Sequence, residues 1–332
     1  MYKDVIYCNE RKIDNEDFLN QIVEEVRISK SKGASFTGGD PLCALQRTCE
    51  TIKRLKKEFG KEFHIHLYTS LNLVNEKTIT QLAEAGLDAL RVHPDLYDQK
   101  LWERIKIPTL ICKKYKMDYG IEVPAIPDRE ETLMQLIAFV KNEKLVDYIN
   151  LNELEASCVN AKEFIARGLG VKQLSSYAIV GSQEMALRLV KKFATKQFPI
   201  HYCTCKLKDT VQLANRLMRR AKSIKKPHQL ITKEGTLYFG EVLCDTNEQA
   251  VSSMNRIADK FEIPQRLFFI QDNKIIIAAW VLIELVNEFP GKKLIVTQYP
   301  TADAMRVQEE EIGQTFGMQY SKPTERVIGK AN

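Results

Sequence analysis

The ten residues Gly33-Ala34-Ser35-Phe36-Thr37-Gly38-Gly39-Asp40-Pro41-Leu42 decide the architecture. A short β-prone run enters a Gly-Gly-acid turn, and a proline then opens a helix where its missing N–H costs nothing. Downstream, Leu42, Leu45, Cys49, Ile52, Leu55 and Phe59 make one apolar helical face, and Gly60 closes it. Upstream, the pattern predicts a helix from about Asn15, with Glu16 and Asp17 in its first turn. Phe18, Ile22, Val23 and Val26 are its buried stripe and Gly33 its end. The local unit is strand, turn, helix.

That unit repeats. Strands are expected at 34–37, 63–69, 87–93, 117–123, 146–152, 178–180 and 199–202, and helices at 76–85, 130–140, from about 160, and at 183–193. Spacings of roughly 25–30 residues between strands signal βα units and a parallel sheet. The strand ends carry Thr37 and Asp40, Tyr68 and Thr69, Arg91 and His93, Glu122, and Asn150, Asn152 and Glu153. In a parallel β/α barrel such tips converge on one face and build the active site. The same residues also suit capping of the helices that follow, so the set carries more weight than any single member.

After Pro227 the grammar changes. Segments 229–232 and 236–242 flank Lys233-Glu234-Gly235 as a hairpin, followed by a helix at 248–261, a strand at 266–270, a helix at 277–288 and a strand at 293–297. The expected organisation is an α/β barrel half over 1–205, a basic connector at 206–227, and a small α+β domain at 228–332.

Composition bounds the rest. A chain of 332 residues with 44% hydrophobic and 28% charged side chains can bury a sizeable core, which excludes wholesale disorder. The longest apolar stretch, 274–286, contains Lys274 and Glu284 and is too short to span a bilayer, so no membrane association is expected. The first residues hold no apolar signal-peptide core, which points to a cytoplasmic protein with reduced thiols. Its eight cysteines contain no CxxC pair. A net charge of +6 is mild.

The run from Gly33 to Leu42 resembles the second-strand motif of radical S-adenosylmethionine (radical SAM) enzymes, where Gly-Gly-acid receives the methionine amino group. Asp4-Val5-Ile6-Tyr7-Cys8-Asn9-Glu10-Arg11, Phe63-His64-Ile65-His66-Leu67-Tyr68-Thr69, Ala85-Gly86-Leu87-Asp88 and Asn150-Leu151-Asn152-Glu153-Leu154-Glu155 are similar to an archaeal-type family related to pyruvate formate-lyase activating enzyme. Lys208-Asp209-Thr210-Val211-Gln212-Leu213 and Tyr299-Pro300-Thr301-Ala302-Asp303 extend the likeness almost to the C-terminus.

The resemblance implies a partial (β/α) TIM-like radical SAM barrel lacking its first strand. It implies a [4Fe–4S] cluster that cleaves S-adenosylmethionine (SAM) to a 5′-deoxyadenosyl radical, an electron donor such as ferredoxin or flavodoxin, and hydrogen abstraction from an unknown substrate. Gly38, Gly39 and Asp40, with Thr37 beside them, would meet the SAM aminoacyl part. Glu122 and Asn152 would meet its ribose or adenine, and Arg91 or His93 its carboxylate or the substrate. One departure stands out: the family's CxxxCxxC cluster ligands do not occur in these residues. The sequence begins at what looks like the point just beyond that loop; a misplaced gene start, a fragment or a loss of cluster chemistry would each explain it, and truncation is the favoured expectation.

Other residues invite separate readings. His64 and His66 alternate with Tyr68 on one strand face, as a metal pair or as satisfied histidines. His201, Cys203 and Cys205 alternate likewise and would support an auxiliary metal if Cys158 or Cys244 supplied a fourth ligand; buried free thiols are the commoner explanation. Arg216, Arg219, Arg220 and Lys222 lie in a basic run without acids, on a helix expected from Lys208 whose apolar face is Val211, Leu213, Leu217 and Ile224. That run reads either as a solvated face or as an anion or RNA contact. Two alternatives to radical chemistry follow: a cluster-less barrel binding RNA or nucleotide, and a non-redox enzyme using Glu122 and Glu153 as acid and base.

Overall fold

A computed structural model describes residues 5–13, 16–173 and 176–313; Asp4 and Asn15, named above, lie outside them. The chain divides into two compact units. The first is built mainly on Ser31–Gln212, the second on the described residues from Leu213 onward together with Tyr7–Lys12 and Arg27–Lys30.

A two-stranded ribbon, β1 (Ile6–Cys8) and β2 (Arg11–Ile13), precedes α1 (Phe18–Ser29). α1 stops at Lys30, which turns left-handed with φ 48°, so Gly33 opens the next strand instead of closing the helix. The βα series then runs β3 (Gly33–Phe36), α2 (Leu45–Phe59), β4 (His64–Ser70), α3 (Glu76–Ala85), β5 (Ala89–His93) and α4 (Lys106–Tyr115). It continues with β6 (Asp118–Ala125), α5 (Glu130–Asn142), β7 (Tyr148–Glu153), α6 (Ala161–Ala166), the hairpin β8 (Val171–Gln173) and β9 (Ser176–Ile179), α7 (Ser182–Phe193) and β10 (Ile200–Cys203). The strands β10-β7-β6-β5-β4-β3 form one six-stranded sheet, every pair parallel.

Two expectations change here. The segment at 178–180 is not a barrel strand: β9 pairs antiparallel with β8, and Ala156 and Ile179 bond it to the chain leaving β7. α4 has no counterpart in the sequence reading, because Ile107 and Pro108 in its first turn resemble a strand end.

Strict alternation splits the sheet into two faces. Ile65, Leu67, Leu90, Val92, Ile121, Val123, Ile149 and Leu151 are fully buried in the core shared with the helices. Their neighbours His66, Tyr68, Arg91, Glu122, Asn150 and Asn152 are half-buried on the opposite face. The helix side is also clamped by polar bonds. Lys56 Nζ reaches Asp88 at 2.6 Å and the carbonyls of Lys61 and Phe63, while Asp88 accepts the Ile65 N–H at 2.6 Å. The Ala85-Gly86-Leu87-Asp88 segment is therefore a structural device: Gly86 ends α3 left-handed and Asp88 ties α2 to β4.

In the second unit, α8 (Cys205–Leu207) and a π-helical stretch, Lys208–Leu213, lead from the barrel into α9 (Ala214–Ile224), so the helix expected from Lys208 is broken. Of its expected apolar face, Leu217 is buried but Val211 is exposed. β11 (Leu230–Ile231), β12 (Leu237–Leu243), α10 (Asn247–Phe261), β13 (Phe268–Gln271), β14 (Lys274–Ile277), α11 (Ala279–Glu284), β15 (Lys292–Gln298) and β16 (Arg306–Ile312) follow. They form an antiparallel sheet, β13-β14-β12-β15-β16, with β11 added along β12. Met254, Ile257, Ala279 and Leu282 of α10 and α11 bury against Val242, Ile275, Ile277 and Ile295. The helix expected at 277–288 begins only at Ala279 and ends at Glu284: its expected first residue, Ile277, closes β14, where it alternates with Ile275 into that core.

Candidate active site

The inner face of the parallel sheet carries one connected network. Arg91 on β5 donates from Nη1 to Tyr68 Oη (2.7 Å) and to Glu122 (3.1 Å), and from Nε to Tyr148 Oη (3.2 Å). Asn152 on β7 donates to the other Glu122 oxygen at 2.9 Å. Reaching from β5 to β7, two strands away, is what side chains do on the inside of a curving sheet. Burial pushes the Tyr68 phenol up to about 12, with Glu122 adding to the effect, so it stays neutral. Burial and then Arg91 bring His66 down to about 4, which keeps that imidazole neutral too. His64, His66 and Tyr68 form a ladder of rings 5.9 and 5.3 Å apart. His93 stands exposed two residues beyond Arg91, at the end of β5.

Two amide oxygens on this face, Oδ1 of Asn150 and of Asn152, are buried and meet no donor among the described residues. Tyr148 and Ser70 had no place in the sequence reading. Tyr148 was findable: it sits two residues before Asn150 on the same face and directly opposite Gly120 of β6. A Cβ at position 120 would lie 2.3 Å from the Tyr148 ring. Gly120→Ala is therefore expected to push that ring aside, break its bond to Arg91 and lower stability by about 1–3 kcal/mol. A thermal melt of the variant checks it; an unchanged midpoint would mean that the ring relocates without loss.

The Gly-Gly turn lies at the end of β3. Gly38 takes φ 101°, and neither Gly38 nor Gly39 has a heavy atom within 4 Å of where a Cβ would sit, so this backbone is open to a ligand. Thr37 is exposed beside it. Asp40 behaves differently from the expectation. Its carboxylate turns inward: Oδ1 accepts the Leu42 N–H (3.0 Å), and both oxygens take up Thr69 Oγ1. Oδ2 also accepts the Ser70 N–H (3.1 Å) and Ser70 Oγ (2.7 Å). It caps the turn opened by Pro41 and pins that turn to the end of β4.

Several other candidates are not brought together. Glu153 alternates onto the helix side of β7, away from Glu122, so the two are no acid–base pair. It is ion-paired to Lys172 at 2.8 Å and accepts the Cys205 N–H at 2.9 Å. Burial raises its carboxyl, but those two partners outweigh burial and hold it below the usual range. Cys205 lies in α8, past the end of β10; His201 is exposed while Cys203 is buried. Cys158 is exposed and Cys244 belongs to the core of the second unit. Among the described residues no three His, Cys, Asp or Glu side chains gather as a metal site, which removes the auxiliary-metal reading. In the basic run, Arg220 is buried and donates to the Pro300 carbonyl, and Arg216 pairs with Glu10 at 3.4 Å. Arg219 and Lys222 are exposed.

The [4Fe–4S] cluster does not fit the residues present: the CxxxCxxC spacing does not occur in this sequence, and no three-ligand group occurs among the described residues. SAM does fit. The end of β3 offers an open glycine turn, and the inner face of β6 and β7 offers a held carboxylate and unsatisfied buried acceptors.

Residues 6–116 match the radical SAM superfamily, and residues 235–312 match a domain of unknown function, DUF8061. A protein of Methanocaldococcus jannaschii, named as a candidate glycyl-radical enzyme activating enzyme, is 38% identical over 318 residues, covering 92% of this chain and 82% of that one. A crystal structure of a protein of the dihydrodipicolinate synthase family from Coccidioides immitis overlaps 59% of this chain and 63% of its own at 10% identity, with a TM-score of 0.33. No helix among the described residues is long and apolar enough to cross a membrane.

Proposed function

The chain belongs to the radical SAM superfamily, in a family related to pyruvate formate-lyase activating enzyme, and from that membership we propose that the inner face of its half-barrel seats SAM. What bound SAM supplies in this superfamily is a route to hydrogen abstraction. What these residues do is bind and orient it. The open backbone of Gly38 and Gly39, beside Thr37, receives the aminoacyl part, while Asp40 holds that turn against β4. Glu122 retains lone pairs beyond those given to Arg91 and Asn152, and it accepts ribose hydroxyls. Arg91 neutralises Glu122, and His93 at the rim faces the incoming substrate or the SAM carboxylate.

The substrate, by extension from the relative's name, is a glycyl-radical enzyme, and an electron donor such as ferredoxin or flavodoxin completes the set of partners. The observation that carries the reading is the Tyr68–Arg91–Glu122–Asn152 network on the inner face, with the unsatisfied amide oxygens of Asn150 and Asn152 on the same face.

Calorimetric titration of SAM into the 332-residue protein tests it. Saturable one-to-one binding is expected. Glu122→Gln should weaken it about ten- to a hundredfold, the equivalent of one charge-assisted hydrogen bond. Absence of binding at millimolar SAM, or equal affinity in the variant, would remove the assignment.

A further inference from the structure

We propose that Arg129, stacked on Tyr97 at the rim of the half-barrel, docks a carboxylate of the protein on which this chain acts; this rests on the reading of that substrate as a glycyl-radical enzyme. Arg129 ends the short turn Pro127–Arg129 between β6 and α5, and Tyr97 lies in the loop past β5. Both stand at the same ends of the strands as the open glycine turn and His93, so a macromolecule reaching the inner face from that end meets this rim. The Arg129 guanidinium lies 4.5 Å from the centroid of the Tyr97 ring, and that of Arg167, which follows α6, lies 5.7 Å from the same ring.

The two arginines differ in what they hold. Arg167 is fully engaged: Nε and Nη2 donate to the two oxygens of Asp128 at 3.0 and 2.5 Å, and Nη1 donates to Glu163 at 2.8 Å. Arg129 meets no acceptor or ion-pair partner among the described residues, and its Nε is buried in that state. The acids on either side of it in sequence are taken, Asp128 by Arg167 and Glu130 by Arg188 at 2.6 Å. A planar guanidinium fixed by stacking and short of acceptors rewards a ligand that brings a planar pair of them, as a carboxylate does.

The surroundings select a protein as the source. Tyr97, Ile165 of α6 and Val180 after β9 are each more than half exposed. They belong to elements tied to this rim. Arg167 also lies over Phe164 of α6 at 5.8 Å, and a Cβ on Gly181, next to Val180, would sit 3.5 Å from Pro127. Exposed apolar groups beside a stacked arginine and tyrosine are the composition of a protein-binding patch. A nucleic acid would need a stripe of cations, and here it would meet Asp95, Asp98, Asp128 and Glu163. The occupant is a protein segment that carries one Asp or Glu among apolar residues.

The probe is an array of glycine-centred nonapeptides in which each position in turn is Asp, Asn or Lys, read with fluorescently labelled 332-residue protein. Wild type should favour Asp over Asn about tenfold at one position or two, the difference that a charge-assisted hydrogen bond makes. Arg129→Gln should abolish that preference, and Arg129→Glu should reverse it toward Lys. SAM affinity should be unchanged in both, with circular dichroism melts as the check on folding. No Asp preference in wild type, or one that survives in Arg129→Gln, would overturn the inference. So would binding of a single-stranded oligonucleotide that Arg129→Gln abolishes, since the cation would then belong to phosphate. If SAM binds and the peptides are not distinguished, the docking inference alone is lost. If the peptides are distinguished as expected and SAM does not bind, the docking surface stands and the SAM site is lost.

Discussion

Asp40→Asn is expected to destabilise the first unit by about 2–3 kcal/mol, well before any effect on ligand binding is considered. Asparagine keeps one oxygen, which still caps Leu42 N–H. At the other position it places an NH₂ where Asp40 Oδ2 now accepts the Ser70 backbone N–H and the Ser70 hydroxyl. The hydroxyl can turn round and accept; the backbone N–H cannot. One charge-assisted bond is lost and one donor is left facing a donor, each worth about 1–3 kcal/mol and not fully additive. Thr69, buried beside them, softens the loss because its hydroxyl also reaches the Ser70 carbonyl at 2.9 Å. Were Asp40 a helix cap and nothing more, asparagine would serve nearly as well. Urea unfolding separates the two: a midpoint unchanged to within about 0.5 kcal/mol would show that the clamp to β4 carries no weight. The result also sets how SAM titrations of Asp40 variants are to be interpreted, since a loosened turn weakens binding without any direct contact to the ammonium.

The parallel sheet was legible because its strands are short, apolar and separated by well-marked helices. α3 shows this well: Asn75 caps it, Thr78 completes the capping box and Gly86 ends it, all visible as residue types at fixed offsets. The site was legible as far as strand tips go, because alternation places Arg91, Glu122 and Asn152 on one face without knowledge of tertiary structure. What the sequence could not supply is the direction in which a tip side chain bonds. Asp40 could face a cleft or its own turn, and that choice depends on Thr69 and Ser70, some thirty residues away. Glu153 illustrates parity: one residue from Asn152, it falls on the opposite face, where Lys172 from the β8–β9 hairpin claims it. The missed helix α4 and the misplaced start of α11 share another cause. In both, β-branched residues near the helix start read equally well as a strand, and only packing decides.

The second large effect is acid loss of stability in the C-terminal unit, centred on His228. This ring is 3% exposed, with Phe269 at 5.1 Å and Phe239 edge-on at 6.3 Å, and its Nε2 meets no hydrogen-bond partner among the described residues. Lys226, whose Nζ lies 4.4 Å from the Phe269 ring, adds a cation nearby. Burial first and Lys226 second bring the imidazole from 6.5 to about 4. The folded state thus favours the neutral ring, and the unfolded state binds the proton more readily. Stability from this group is complete above pH 6.5 and falls as pH drops toward 4, at up to about 1.4 kcal/mol per pH unit. The whole contribution is no more than about 3 kcal/mol. His66, also brought to about 4, adds the same sign of dependence to the first unit. Carboxylates held low, such as Glu153 and Glu309, lose their contribution only below about pH 4.3, the ordinary glutamate value. The window from pH 6.5 to 4.5 therefore isolates the histidines. Urea midpoints across that window should fall in wild type, and His228→Phe, filling the same aromatic slot without a titrating nitrogen, should flatten the part of the decline belonging to the second unit. A decline of equal slope in His228→Phe would show that the ring is hydrated in the folded state and that its burial contributes nothing to acid sensitivity.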